Sequence, residues 1–279
     1  MEDELIVQKK PRSPITEIFR TLRTNMQFMN SKKSSKILLV TSTIQGEGKT
    51  WISSNLAIAF AQAGKKVVLV DTDMRKGRIN KLFQVNAAPG LSNYLSGFNE
   101  IGMSDGDNIL KYINQTEVEN LYVISAGNIP PNPSELLSSE RTTIMLDKLR
   151  EVFDIIILDG TPSLIVTDSL ILSRIVDSTL IVASHKYTKK DNLLKIKKSI
   201  ENIGGKIAGV VYNRVPINIK KYKSKYYYTP SNSSGKRLEF EKKDGIEKYE
   251  DLNRKKVKEI INELESYSDN GKIGVTKKW

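Results

Sequence analysis

The chain has 279 residues, 39% apolar and 27% charged, and its 44 lysines and arginines against 32 acids give a net charge of +12. That is enough chain for one large domain with a substantial buried core, and too apolar a composition for wholesale disorder. With no cysteine, disulfides, thiolate catalysis and cysteine-held zinc or iron–sulfur sites are excluded, which suits a reducing cytosol; the single histidine, His185, reads as a loop residue and leaves no imidazole cluster for a metal or dyad. No apolar run reaches the length of a membrane span, and Met1-Glu-Asp-Glu-Leu5 lacks the basic-then-apolar order of a signal peptide, so the expected location is inside the cell. Residues 217–279 hold 16 of the basic and 10 of the acidic residues, half of the net excess. Such a tail can meet nucleic acid, an anionic membrane surface or an acidic partner, or simply be solvated.

In chain order, Ile15, Ile18, Phe19, Leu22, Met26 and Met29 recur at three- and four-residue steps behind Ser13-Pro14, which predicts an amphipathic helix over 15–29. The run Lys36–Thr41 has the continuously apolar character of a strand buried on both faces. A glycine-bearing loop and a helix from Lys49 to Gln62 follow. Further apolar runs at Lys66–Val70, Leu121–Ser125, Asp154–Leu158, Thr179–Ala183 and Ile207–Tyr212 read as strands, and helical patterns at 141–153, 167–176 and 189–203 lie between them. This alternation predicts an α/β fold: a mostly parallel sheet covered by helices on both faces. From Val215 the pattern changes; residues 218–236 are Lys, Tyr, Ser and Asn with few aliphatics and read as flexible, and Val257, Ile260, Ile261 and Leu264 hint at one more short helix. The expected organisation is an N-terminal segment with a helix over 1–35, a central domain over 36–216 and a flexible basic tail over 217–279.

Gly46-Glu47-Gly48-Lys49-Thr50 carries the strongest chemical signal, because it follows a predicted strand and opens a predicted helix. A phosphate needs unobstructed backbone N–H donors, a helix N-terminus, a lysine for the outer oxygens and a hydroxyl for Mg²⁺, and all four are present. The loop is a variant, since Thr43 stands where the usual P-loop has its first glycine. Asp71 and Asp73 end one strand, and the run Ile155–Asp159 ends another in a carboxylate, as a Walker B element does. Aspartates at strand ends often serve only as caps or turn formers, but three converging on one phosphate loop point to metal and base chemistry.

The variant loop, the Val70-Asp-Thr-Asp-Met-Arg75 element and the Ile157-Leu-Asp-Gly-Thr-Pro162 run together resemble the deviant P-loop ATPases that include septum-placement and plasmid-partition proteins. Four features are more closely similar to the bacterial tyrosine kinases (BY-kinases) of capsule and exopolysaccharide systems. The positioning ATPases have a characteristic lysine where this chain has Ile44. Glu17, Arg20 and Arg23 match the kinases' E-x-x-R-x-x-R oligomerisation motif, Gly127–Leu136 matches a G-x-x-P-P-N-P-x-E-L segment, and Tyr222, Tyr226, Tyr227 and Tyr228 match a carboxy-terminal tyrosine cluster. The resemblance spans about residues 13–228, with departures at Gly77, Gly160 and in the length of the tail. Read without it, Glu17, Arg20 and Arg23 are the wet face of a surface helix, the prolines a rigid turn, and the tyrosines among lysines a stacking patch for single-stranded nucleic acid.

The resemblance implies a P-loop NTPase-like fold and ATP-dependent protein-tyrosine kinase activity. Gly46, Glu47 and Gly48 would cradle phosphates, Lys49 would span the outer two, and Thr50, Asp73 and Asp159 would hold Mg²⁺. Asp71 is implied as acceptor of the tyrosine proton, and Asn213 and Arg214 as contacts of the adenine. It also implies a ring-like homo-oligomer, a separate transmembrane activator that recruits a cytoplasmic chain to the inner face of the cell membrane, a cognate phosphatase and no nucleic acid. The alternatives are a positioning or partition-type ATPase that switches oligomeric state without tyrosine phosphorylation, and a nucleotide-dependent scaffold. No HRD-type loop or DFG element is present, which excludes a eukaryotic-type kinase fold.

Overall fold

The computed structural model describes residues 4–29, 36–97 and 108–216. Helix α1 (Ile6–Lys9) leads into α2 (Pro14–Met29), which starts as its sequence dictates: Pro14 takes the first helical position and the Ser13 hydroxyl accepts from the Thr16 amide at 3.1 Å. Then come β1 (Ile37–Ser42), α3 (Lys49–Ala61), β2 (Val67–Asp71), α4 (Ile79–Phe83), α5 (Leu91–Ser96), a 3-10 turn at Ile109–Tyr112, β3 (Asn114–Gln115) and β4 (Leu121–Ile124). The chain continues through α6 (Pro133–Ser138), α7 (Glu140–Val152), β5 (Ile155–Pro162), α8 (Asp168–Ile175), β6 (Ser178–Ser184), α9 (Lys190–Asn202) and β7 (Ile207–Asn213). The expected strands and long helices are all there, with ends moved by a few residues; the short elements α1, α4, α5, α6 and β3 are additions.

The seven strands form one sheet in the order β3-β4-β2-β5-β1-β6-β7, parallel throughout except for the short antiparallel β3. The apolar runs that predicted buried strands split by alternation. Leu38, Val40, Leu69, Ile157, Leu180 and Val182 pack with α1, α2 and α3 on one face. Ile37, Leu39, Val68, Val70, Ile156 and Leu158 pack with α5, α7 and α8 on the other. Helix α3 is buried from Ile52 to Ala61, because α2 and α1 cover it. Phe19 of α2 meets the Trp51 ring edge-on, and Asn55 of α3 accepts from the Val7 amide and donates to the Glu4 carbonyl.

Gly77 and Gly160, the two departures from the family pattern, stand where a side chain does not fit. A Cβ on Gly160 would lie 2.4 Å from Ser169 Oγ and 3.0 Å from the Val40 carbonyl, and Ser169 cannot yield because its hydroxyl accepts from the Thr161 amide and donates to the Thr161 carbonyl. Gly160→Ala is expected to cost roughly 1–3 kcal/mol by overpacking. At ~2–4 °C per kcal/mol for a domain of this size, thermal unfolding reads this as a fall of roughly 2–12 °C; an unchanged midpoint would contradict the packing described.

Candidate active site

The strand order brings the carboxyl ends of β2, β5, β1, β6 and β7 side by side; the phosphate loop follows β1, Asp71 ends β2 and Asn213 ends β7, whereas Asp159, expected to end its strand, lies inside β5, which runs on to Pro162. From β1 the chain enters the loop Thr43–Gly48. Gly46 and Gly48 take left-handed φ values of 86° and 99°, which a side chain rarely adopts. Gly48 is also crowded, since a Cβ there would lie 2.2 Å from Asn213 Nδ2. Gly48 caps α3 with no side chain to accept from the first-turn amides, so those donors remain available to an anion, reinforced by the helix dipole. This fits a nucleotide phosphate.

Facing the loop, β2 and β5 place Asp71 and Asp159 in direct register on adjacent strands, both 1% exposed. Burial pushes the Asp71 carboxyl up to about 8, and Asp159 adds to the rise; amide donors from Asp73 and Ile79 oppose it without cancelling it. Burial also pushes Asp159 up, to about 6, while Lys49 and the hydroxyls of Thr50 and Ser53 favour its charged form. Ser53 donates to Asp159 Oδ1 at 3.0 Å, and the Asp159 carbonyl accepts from the Thr72 amide and hydroxyl. Two buried acids that resist ionisation beside a phosphate loop fit a divalent cation, whose charge would relieve both. Among the described residues no cluster of three or more acids or histidines forms a ready-made metal cage. Mg²⁺ does not need one, since it takes one or two carboxylates together with phosphate oxygens and waters.

Several of the expected site residues also make bonds within the fold. Asp73 Oδ1 accepts from the amides of Arg75 and Lys76 at 3.3 and 2.9 Å, so the same side chain shapes the turn after β2. The Glu47 side chain is fully buried and turned back into the loop, accepting from the amides of Thr43 and Ile44, which leaves its backbone amide as the group it can offer a ligand. Asn213 Nδ2 donates to the Glu47 carbonyl at 3.0 Å, and its Oδ1 accepts from the Arg214 amide at 2.8 Å, so an adenine would share an amide group already partly engaged. His185 lies just past the end of β6, with its amide bonded to the Asn213 carbonyl and its ring edge-on to Tyr212.

Burial and the neighbouring Asp159 thus favour the protonated form of Asp71, so its use as a base calls for positive charge nearby. Away from the loop, Glu17 and Arg20 pair within α2 at 2.5 Å with side chains 42% and 38% exposed. Arg23 is not on that free face, since its Nη1 donates to the Ala59 carbonyl at the end of α3. Ile18 also departs from the expected apolar stripe and is exposed, as is Phe28. Tyr222, Tyr226, Tyr227 and Tyr228, with the whole tail over 217–279, lie outside the described residues.

One group was not singled out by the sequence. Asp168, in the first turn of α8, is completely buried, accepts from Arg75 Nε at 3.2 Å, and takes the Ser134 hydroxyl at 2.6 Å. It ties the arginine after the Asp71–Asp73 pair to α6, which the proline segment opens with Pro133. The proline segment is therefore more than a rigid turn. The available signals were Arg75 two residues beyond Asp73 and the serine after the last proline; Asp168 itself reads as an ordinary helix-start acid.

A family profile described as an AAA domain matches residues 35–209. The tyrosine-protein kinase YwqD of Bacillus subtilis is 33% identical over 232 residues, covering 83% of this chain and 94% of that protein. Among solved structures, the chimerical protein CapA2B2 superposes with a TM-score of 0.71 at 37% identity, covering 77% of this chain and 91% of that one. The kinase domain of the Escherichia coli tyrosine kinase ETK gives 0.69 at 30% identity, with 81% and 84% covered.

Proposed function

The chain belongs to the bacterial protein-tyrosine kinases of capsule and exopolysaccharide systems, and on that premise we propose that it transfers the γ-phosphoryl group of ATP to the tyrosine cluster of a neighbouring subunit, regulating polysaccharide synthesis or export. The supporting observation is the edge where the uncapped start of α3 and Lys49 face the register pair Asp71 and Asp159. Phosphoryl transfer is mostly positioning and charge neutralisation, which is what these groups supply. The amides of Gly46 to Thr50 hold the phosphates and Lys49 reaches the outer two. Thr50, Asp159 and Asp73 hold Mg²⁺, which when bound neutralises the phosphate charge. Asp71, once ionised, would accept the proton of the attacking tyrosine hydroxyl. Asn213 and Arg214 orient the base.

The acceptors come from another copy. Fully extended, the 8 to 14 residues between Arg214 and the tyrosines reach roughly 26–50 Å, enough for a neighbour's site. Glu17 and Arg20 on the outer face of α2 join the copies into a ring. Among the described residues no helix is long and apolar enough to cross a membrane, and recruitment falls to a separate membrane-spanning activator, with a phosphatase restoring the tyrosines. Residues 220–228 carry four lysines and no acid, so complete modification, at ~−1.5 to −2 per phosphate, turns +4 into about −2 to −4 and releases the arms.

The test mixes a Lys49→Met chain that keeps its tyrosines with an active chain whose four tyrosines are Phe, in ATP and Mg²⁺. Phosphotyrosine on the Lys49→Met chain is expected. An unlabelled Lys49→Met chain within mixed oligomers overturns transfer between subunits. ATP turnover by the wild-type chain with no phosphotyrosine would instead identify a positioning-type ATPase.

A further inference from the structure

We propose that Thr188, in the turn after β6, is a positioning residue of the nucleotide site: its hydroxyl holds the buried carboxylate of Glu47, and that carboxylate holds the front of the phosphate loop. The loop needs such support because it lacks its first glycine. Thr43 stands there instead, with its amide donating to Glu47 Oε2 at 2.6 Å and its hydroxyl to Oε1 at 2.9 Å, while the Ile44 amide adds a third bond at 3.1 Å. A carboxylate removed from water must have its lone pairs filled by donors. Three of those donors belong to the loop itself. The fourth, the Thr188 hydroxyl, comes from outside it.

Thr188 is well fixed for the task. Its Oγ1 accepts from the Ser184 amide at 2.7 Å, which turns its proton toward Glu47, and its own amide donates to the Ser184 carbonyl at 2.9 Å. The neighbouring Tyr187 hydroxyl reaches the Gln45 carbonyl at 3.4 Å, a second tie between the same turn and the loop. From the other side, Asn213 at the end of β7 grips the Glu47 carbonyl. Residue 47 is thus held through its carboxylate by the end of β6 and through its backbone by the end of β7. The strand end assigned to the base and the loop assigned to the phosphates form one mechanical unit with Glu47 at its centre.

Removing the Thr188 hydroxyl leaves the buried carboxylate one donor short, so Glu47 shifts and the amides of Thr43 and Ile44 lose their anchor. A loosened loop has to be ordered again when phosphates bind, so nucleotide binding is expected to weaken roughly tenfold. The inference rests on the kinase reading only in taking ATP as the nucleotide, so one measurement omits the ligand. In the nucleotide-free protein, Thr188→Val should speed hydrogen exchange at the Thr43 and Ile44 amides while the thermal midpoint stays within a few degrees. With Mg²⁺ and a fluorescent ATP analogue, Thr188→Val should raise Kd roughly tenfold and KM for ATP in parallel, with kcat within about twofold. Thr188→Ser, which restores the hydroxyl, should return all three to near wild type, and in a Glu47→Gln background Thr188→Val should add little. Unchanged exchange in Thr188→Val, Ser behaving like Val, or a full effect persisting in Glu47→Gln would each overturn the proposal. If Glu47→Gln does not fold, the Val and Ser pair decides alone. Faster exchange and weaker binding as expected, but without any phosphotyrosine, would sink the kinase reading and leave this one standing.

Discussion

Asp71→Asn is expected to lower phosphotyrosine formation roughly 10²–10⁴-fold, the usual worth of a positioned base, and at the same time to make the nucleotide-free protein more stable at pH 8. The second effect follows from linkage. The folded chain holds protons on Asp71 up to about pH 8 and on Asp159 up to about pH 6, whereas an aspartate in the unfolded chain releases its proton near its ordinary value of about 3.9. Between those values the folded state binds more protons than the unfolded state, so these two groups make stability fall as pH rises from about 4 to about 8. Asparagine keeps a carbonyl to accept from the Arg78 and Ile79 amides, which donate to Asp71 Oδ2 at 2.9 and 3.0 Å, and it carries no charge to bury. Asp177 does not enter this window: burial raises its carboxyl, but Arg150 and the amides of Ile37 and Lys36 outweigh burial and leave it lowered, so its contribution is lost only at acid pH. Calorimetry from pH 5 to 8 without metal or nucleotide should show the wild-type midpoint falling and that of Asp71→Asn nearly level above pH 6, higher by roughly 5 °C or more at pH 8. Mg²⁺ with ADP should recover much of the wild-type loss. A wild-type midpoint that rises over this range, or a variant no more stable than wild type at pH 8, would refute the account. The site then keeps its acids at the expense of stability, as functional sites commonly do.

The sheet was legible because its strands are buried on both faces and read as unbroken apolar runs, and the loop was legible because phosphate chemistry allows few residue types at Gly46 to Thr50. Strand order was not, since period and composition carry no cross-strand distance. Asp71 and Asp159 are 88 positions apart and become neighbours only because β5 inserts between β1 and β2. The same limit hid Asp168, whose partners Arg75 and Ser134 lie 93 and 34 residues away. Glu47 was placed by its position in the motif, which describes its amide but not its carboxylate; nothing local distinguishes an outward glutamate from one buried against Thr188. Arg23 shows the reverse error. Helical spacing assigns it to the face of Glu17 and Arg20, but a long side chain can reach back, and the carbonyl-rich end of α3 lies within its reach.

Replacing Glu17, Arg20 and Arg23 together by Ala is expected to convert the oligomer into monomers and to abolish labelling of the Lys49→Met chain in the mixing experiment. The three positions do not contribute alike. Glu17 and Arg20 form an exposed pair within one helix, worth only about 0.3–0.5 kcal/mol to the fold, so removing them costs the monomer little. In the proposed ring the same groups would recur at every interface, with Ile18 and Phe28 exposed on the same helix, so their loss would act on each contact. Arg23 holds the last turn of α3, and its replacement should lower the thermal midpoint by itself. Glu17→Ala with Arg20→Ala should therefore reduce the sedimentation mass at an unchanged midpoint, and Arg23→Ala should do the opposite unless it also meets a neighbour. If the triple variant sediments with the mass of the wild type, α2 is not the interface. Labelling that persists in true monomers would mean that the tail reaches its own active site.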